Sequence, residues 1–292
     1  MLNNEYPTAI RAFTRHYHYK EATTSLLTDE EAKNMLTSAE IMTISARMED
    51  TLAFFDPDMN QLLVQPAKKR RYVLNRYLVP QTVAFVCYTK EQMALAAKRG
   101  TYQFVTVGSG FEAFAPLLPN NGQCRFFDVD FPVRLLQKYS SKQPNIQAVP
   151  ITDDTADLCD ALLQNGFRSD RPAFFILPGH AMYMEKLDFL KLLQQLSQVA
   201  YSGSSVLFDY MDEAAFLEEA DEAIQKMLFL SKSVGADLLA GYDPLFMDFF
   251  LEDTAFIYEN LSSENINQLY FENRVNDLAM LPYFYFAHAA LK

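Results

Sequence analysis

Two short runs, each patterned as a buried strand and each ending in polar chemistry, constrain this chain more than any other feature. The first is Gln103-Phe104-Val105-Thr106-Val107-Gly108-Ser109-Gly110, and the second is Cys124-Arg125-Phe126-Phe127-Asp128-Val129-Asp130-Phe131-Pro132. Near-continuous apolar runs of this length are what strands need when a sheet is covered on both faces. The first run breaks at Gly108 and Gly110, where missing side chains let backbone N–H groups come close to a ligand. The second ends in Asp130, about 20 residues past the glycine turn, the place from which an acid accepts hydrogen bonds from ribose hydroxyls in a doubly wound sheet.

The rest of the chain fits that frame. Apolar residues recur at helical spacing from Ala9 to Met48, with Thr28-Asp29-Glu30-Glu31 reading as a capped helix start, and again from Val73 to Lys98 with an interruption at Pro80. Strands then alternate with helices: strands at Phe104–Val107, Arg125–Val129, Ile146–Val149, Phe174–Leu177 and Ser205–Tyr210, and helices around Phe114 and at Val133–Tyr139, Thr155–Gln164 and Lys186–Ala200. An acidic helical stretch from Asp212 to Ser231 follows. Two aromatic runs, Ala255–Leu261 and Tyr283–Ala290, are expected to pair as an antiparallel hairpin at the sheet edge. The expected class is α/β, with an N-terminal helical cap and lead-in helices over 1–100, a core over 101–292, and a helical insertion at about 211–250.

Composition narrows the partners. A formal charge of −12 disfavours nucleic-acid binding, which draws its affinity from clustered Lys and Arg. Cys87, Cys124 and Cys159 lie far apart, without the spacing of a zinc site or a disulfide framework, so a reducing cytoplasm is the simplest compartment. No stretch reads as a membrane span or an export signal. His16 and His18 have no Cys or acidic neighbour at ligand spacing, so no metal site is expected. A small-molecule acceptor is the expected partner, and a homodimer is left open.

The glycine turn continues Phe111-Glu112-Ala113, so the third glycine of the dinucleotide fingerprint is absent and an oxidoreductase is disfavoured. A nucleoside cofactor without phosphates fits better, and S-adenosyl-L-methionine is the common one.

Four ordered segments carry a family resemblance: Gln103 to Glu112; Phe127-Asp128-Val129-Asp130-Phe131-Pro132 with Lys138; Pro172 to Phe175 leading to Gly179, Met182, Tyr183 and Met184; and Gly203-Ser204-Ser205-Val206-Leu207-Phe208-Asp209-Tyr210. With these the chain resembles the leucine carboxyl methyltransferase-like class I S-adenosylmethionine-dependent O-methyltransferases, especially the bacterial branch of polyketide tailoring. The resemblance implies a Rossmann-like seven-stranded sheet, a helical cap, and helices between strands five and six that close over the substrate. It also implies a cofactor held by Gly108, Ser109, Gly110, Asp130, Phe131, Thr152, Asp153 and Pro178. The family's arginine that meets the cofactor's methionine carboxylate is replaced by Gln81, its acid after strand three falls at Thr152 with Asp153 one position on, and its acid after strand four is lost at Leu177-Pro178. These departures point to the alternative of a degenerate member that binds a ligand or partner without transferring methyl groups.

Methyl transfer from a sulfonium is an in-line displacement, so alignment matters more than a nucleophilic side chain. A carboxylate acceptor needs no base, whereas a hydroxyl acceptor gains from one. His180, just past strand four at the carboxyl edge of the sheet, is the candidate base; the competing reading is a partly exposed loop histidine. Tyr183 either lines the acceptor pocket or packs its ring under the next helix.

Overall fold

The computed structural model describes residues 5–22, 25–27, 36–109, 114, 123–139, 145–152, 158–272 and 278–292. The helical start comprises α1 (Glu5–Glu21), α2 (Ser38–Phe55), α3 (Pro57–Leu62), α4 (Pro66–Val73) and α5 (Val79–Lys98). Helix α2 begins at a capping box: Glu40 N donates to the Thr37 hydroxyl at 3.2 Å while Thr37 N donates to the Glu40 carboxylate at 2.7 Å. The start expected at Thr28 to Glu31 lies outside the described residues. The interruption expected near Pro80 takes the form of a π-helical turn, Leu74–Leu78, joining α4 to α5. Pro80 falls in the first turn of α5, where its missing N–H costs no intrahelical bond.

Beyond α5 come β1 (Gln103–Val107), β2 (Arg125–Asp130), α6 (Pro132–Lys138), β3 (Ile146–Pro150), α7 (Leu158–Gln164), β4 (Ala173–Leu177), α8 (His180–Tyr183), α9 (Lys186–Val199) and β5 (Ser205–Met211). The chain ends with α10 (Glu222–Ser233), α11 (Met247–Phe250), β6 (Ala255–Ser262), α12 (Ser263–Tyr270) and β7 (Phe284–Leu291). Of the helices expected between strands, the residues flanking Phe114 and the first residues of the one from Thr155 fall outside the described residues; Phe114 itself is buried. The acidic stretch after β5 is not one helix; it divides into a 3₁₀ turn at Glu213–Phe216 and α10.

The seven strands lie in the order β3-β2-β1-β4-β5-β7-β6, parallel from β1 through β5, with β7 antiparallel to both β5 and β6. The aromatic runs pair antiparallel as expected, but β7 inserts between β5 and β6, and α12 occupies the connection, so they do not form a tight hairpin. Alternation along each strand builds two cores. Phe104, Phe126, Phe174, Ile176 and Leu207 face α5 and the other N-terminal helices, while Val105, Phe127, Phe175, Leu177 and Val206 face α7 and α9. Burial on both faces explains why the central strands read as unbroken apolar runs. The order of strands reverses between β1 and β4, and such a switch point opens a crevice beyond the carboxyl ends of the strands.

After α10 the chain passes close to the 3₁₀ turn. A Cβ at Gly241 would sit 2.6 Å from Glu213 Cα and 2.8 Å from Glu213 N, a contact only backbone movement can relieve. Gly241→Ala is expected to destabilise the fold by about 1–3 kcal/mol, read as a lower urea midpoint at unchanged slope. An unchanged midpoint would contradict this packing.

Candidate active site

At the tip of β2 the structure gathers a buried charge cluster. Lys138, whose side chain is fully buried, donates from Nζ to Asp128 Oδ2 at 2.7 Å, to Ser109 Oγ at 2.8 Å and to Asp130 Oδ2 at 3.3 Å. Asp128 also accepts from the Tyr139 hydroxyl at 2.7 Å, Thr106 Oγ1 at 3.0 Å and Ser109 Oγ at 3.2 Å. Asp130 accepts from Phe131 N at 2.9 Å and from the Arg134 guanidinium at 3.3 Å. Local sequence sets this arrangement: Pro132 opens α6 directly after β2, and one and two helical turns carry Arg134 and Lys138 back over the carboxylates. The Arg134 guanidinium also lies 5.5 Å from the centre of the Phe131 ring. Gly108, with φ of +54°, turns the chain out of β1 beside this cluster, its N–H donating to the Val129 carbonyl at 2.7 Å.

A second cluster lies over β4 and β5. Asp209, wholly buried, accepts from Gly179 N at 2.6 Å through Oδ1, and from Arg11 of α1 and Gln81 Nε2 of α5, each at 3.3 Å, through Oδ2. Gln81 Nε2 also lies 3.7 Å from the Met182 sulfur. Gly179 takes φ of +73°, and a Cβ there would press to 3.2 Å from the Tyr183 ring and 3.7 Å from Arg11. Three segments distant in sequence therefore meet on one carboxylate.

His180 and Tyr183 sit on α8 beside this cluster. The structure replaces the partly exposed loop histidine with a helical residue only 5% exposed. Neither ring nitrogen has a hydrogen-bond partner among the described residues, although the carbonyls of Pro178 and Leu177 lie close enough to favour the charged form slightly. Burial dominates and pushes the imidazole down to about 4, with the Arg11 charge adding to the effect. Burial pushes the Tyr183 hydroxyl up to about 12. At neutral pH both side chains are uncharged.

The unfolded chain protonates His180 near its ordinary 6.5, the folded chain only near 4, so the contribution is complete above about pH 6.5 and is lost as pH falls toward 4. Between pH 7.5 and 5 the unfolding free energy is expected to fall about 2 kcal/mol less steeply in His180→Phe than in the parent chain. Parallel denaturation series at the two pH values test this, and equal slopes would contradict it.

The structure brings Gly108, Ser109, Asp130 and Phe131 together at the tips of β1 and β2, and Gln81, Pro178, His180 and Tyr183 near Asp209 over β4 and β5. Thr152 is exposed just beyond β3, while Gly110 and Asp153 lie outside the described residues. Of the aromatic residues in the cap and C-terminal third, Phe13 is buried in the core, whereas Phe246 and Phe249 are largely exposed. Arg134 goes unread in the sequence, although its place four positions past Asp130 on a helix that starts at Pro132 is a signal that could have found it. Arg11 carried no local signal, because its partner is 198 positions away. Among the described residues no group of three or more His, Cys, Asp or Glu is placed to hold a metal, and no helix is long and apolar enough to cross a membrane.

The family model for leucine carboxyl methyltransferase matches residues 8–197, a span that includes the β2 tip, the β4 turn and the Arg11 helix. The chain belongs to the leucine carboxyl methyltransferase family. That family and the relatives of this chain are S-adenosylmethionine-dependent methyltransferases. YktD of Bacillus subtilis (strain 168), which carries the name of an S-adenosyl-L-methionine-dependent methyltransferase, is 28% identical over 97% of this chain and 96% of its own length. A Parafrankia sp. (strain EAN1pec) protein of the same naming is 26% identical over 59% of this chain and 54% of its own length. The fold matches a Thermobifida fusca YX protein described as a methyltransferase, with a TM-score of 0.55 and 14% identity, over 100% of this chain and 97% of that one. A DUF574 family protein from Streptomyces avermitilis matches with the same TM-score, 0.55, over 99% of each chain.

Proposed function

We propose that this family member transfers the methyl group of S-adenosyl-L-methionine to an oxygen of a small organic acceptor, with a carboxylate favoured over a hydroxyl. The observation that carries the reading is Asp130, a buried carboxylate at the tip of β2, next to the left-handed Gly108 turn and at the reversal of strand order. These residues fit an adenosine. Ribose hydroxyls donate to Asp130, one of them in place of the long Arg134 contact, and Phe131 flanks the base. Gln81 meets the amino-acid end, where Arg11 supplies the guanidinium that Gln81 lacks. Gly110, Thr152, Asp153 and Pro178 complete the proposed set. The bound cofactor supplies an electrophilic methyl group, and the protein's task is to align the acceptor with it.

The preference for a carboxylate rests on His180 and Tyr183. A histidine held down to about 4 is a weak base, and a tyrosine pushed up to about 12 does not ionise at neutral pH, so neither readily takes a proton from a hydroxyl. A carboxylate arrives already ionised. The test is transfer of labelled methyl from S-adenosylmethionine to a panel of carboxylic acids, phenols and alcohols. Base-labile methyl esters are the expected products; transfer only to phenols or alcohols would overturn the carboxylate assignment. The second reading, ligand binding without transfer, is favoured by Gln81 and by the chain's own cations on Asp130; it predicts cofactor binding with no product from any acceptor.

A further inference from the structure

A cavity of about 480 Å³ opens at the opposite, amino edge of the sheet, between the last turn of α5, the start of β5, and the paired strands β6 and β7. It shares no residue with the crevice described above. Its size suits a small organic molecule. Arg99, Gln92, Ser205, Tyr258 and His288 give it a polar side, and Leu95 an apolar wall.

The charge pattern is one-sided. The chain carries 37 Asp and Glu residues and a net charge of −12, yet among the described residues no acid lines this cavity. Arg99 is exposed at its mouth and makes no ion pair among the described residues. A cation in a cavity without acids is an attractive site for an anion.

His288 is the second observation. It lines the cavity at 4% exposure, packed between Phe174 and Tyr258, with ring centres 5.1 and 4.5 Å away. Its Nε2 pairs with the Ser205 hydroxyl at 3.1 Å, but Nδ1 is buried with no hydrogen-bond partner among the described residues. Leaving a buried polar atom unsatisfied in an otherwise well-packed strand is costly. Burial and the neighbouring Arg99 charge together hold this ring neutral, pushed down to about 3. Nothing in the proposed methyl transfer uses Arg99, Ser205 or His288.

The geometry points to a second small-molecule site at this edge that takes an organic carboxylate, its charge on Arg99 and its carbon body against Leu95 and Tyr258. The ligand lies against the His288 ring and perturbs its resonances. β5 begins at this cavity with Ser205 and carries Asp209 on to the methyl-transfer edge, about 13 Å along the strand, so the two sites are separate but share one rigid element.

The experiment uses the full chain with isotope-labelled histidine, in saturating S-adenosylhomocysteine to occupy the other edge. Propionate and benzoate are titrated against their uncharged counterparts, propionamide and benzamide, with the His288 signal assigned through His288→Gln. A saturable shift of the His288 ring is expected with the carboxylates, at least tenfold weaker with the amides, and at least tenfold weaker for carboxylates in Arg99→Gln. Absence of a saturable shift, equal response to acids and amides, or an undiminished response in Arg99→Gln would each overturn the proposal. Failure to bind S-adenosylhomocysteine would count against the proposed function alone, because the two sites have no residue in common.

Discussion

Replacing Lys138 by methionine is expected to lower the unfolding free energy by about 3–5 kcal/mol. The ammonium is fully buried and touches two buried carboxylates, Asp128 at 2.7 Å and Asp130 at 3.3 Å. Methionine matches the length of the stem but not the charge, so it removes the ammonium from both carboxylates; among the described contacts Asp128 keeps the neutral Tyr139, Thr106 and Ser109 donors, while Asp130 still accepts from Arg134 and a backbone N–H. Desolvated carboxylates are tolerable only while a cation faces them. Urea denaturation of parent and variant measures the loss. The double variant Lys138→Met with Asp128→Asn removes one stranded charge and is expected to recover part of the stability. A fall below about 1 kcal/mol in Lys138→Met would mean that solvent reaches this cluster.

Asp209→Ala is expected to have an effect of similar size, about 3–5 kcal/mol, and to abolish methyl transfer. The carboxylate holds Gly179 N at 2.6 Å, and it takes Arg11 and Gln81 at 3.3 Å each. Its loss frees the left-handed turn that aims α8 and removes an acid that faces the Arg11 guanidinium, so α1 loses a polar tie to the sheet. Asp209→Asn keeps the shape and the acceptor toward Gly179 but not the charge. It is expected to retain more stability than alanine while still losing activity, because the charged contact between Asp209 and Arg11 is gone. Alanine and asparagine variants with equal stability would show that the backbone contact, rather than the charge, is what matters here.

Much of this architecture was legible before any coordinates. Strands buried on both faces leave an unambiguous apolar run, and Phe104, Phe127, Phe175 and Phe208 show it plainly, so all five parallel strands fell within a residue or two of expectation. The aromatic runs that became β6 and β7 were also visible. Their order in space was not, because antiparallel insertion of β7 depends on pairing with β5, which no local pattern encodes. The acidic stretch was misjudged for a related reason: acids after Asp212 suit a helix start, but Asp212 and Asp221 each cap a separate element. In the site, Asp130 and Gly108 were readable because strand-to-turn chemistry is local. Of the cations that hold Asp130, Lys138 enters only through the family resemblance and Arg134 goes unread, although helix periodicity after Pro132 places both over the carboxylate. The meeting of Arg11, Gln81 and Asp209 is a product of tertiary packing, and sequence spacing carries no trace of it.

On the proposed reading, the Asp130 carboxylate at the tip of β2 holds the sugar of S-adenosylmethionine. Isothermal calorimetry of the parent chain and of Asp130→Asn, each titrated with S-adenosylmethionine and with S-adenosylhomocysteine, tests it most directly. The account predicts saturable one-site heat in the parent and affinity weaker by at least tenfold, about 1.4 kcal/mol or more, in the variant. No heat in the parent with either ligand, or equal affinity in a folded Asp130→Asn, would contradict it.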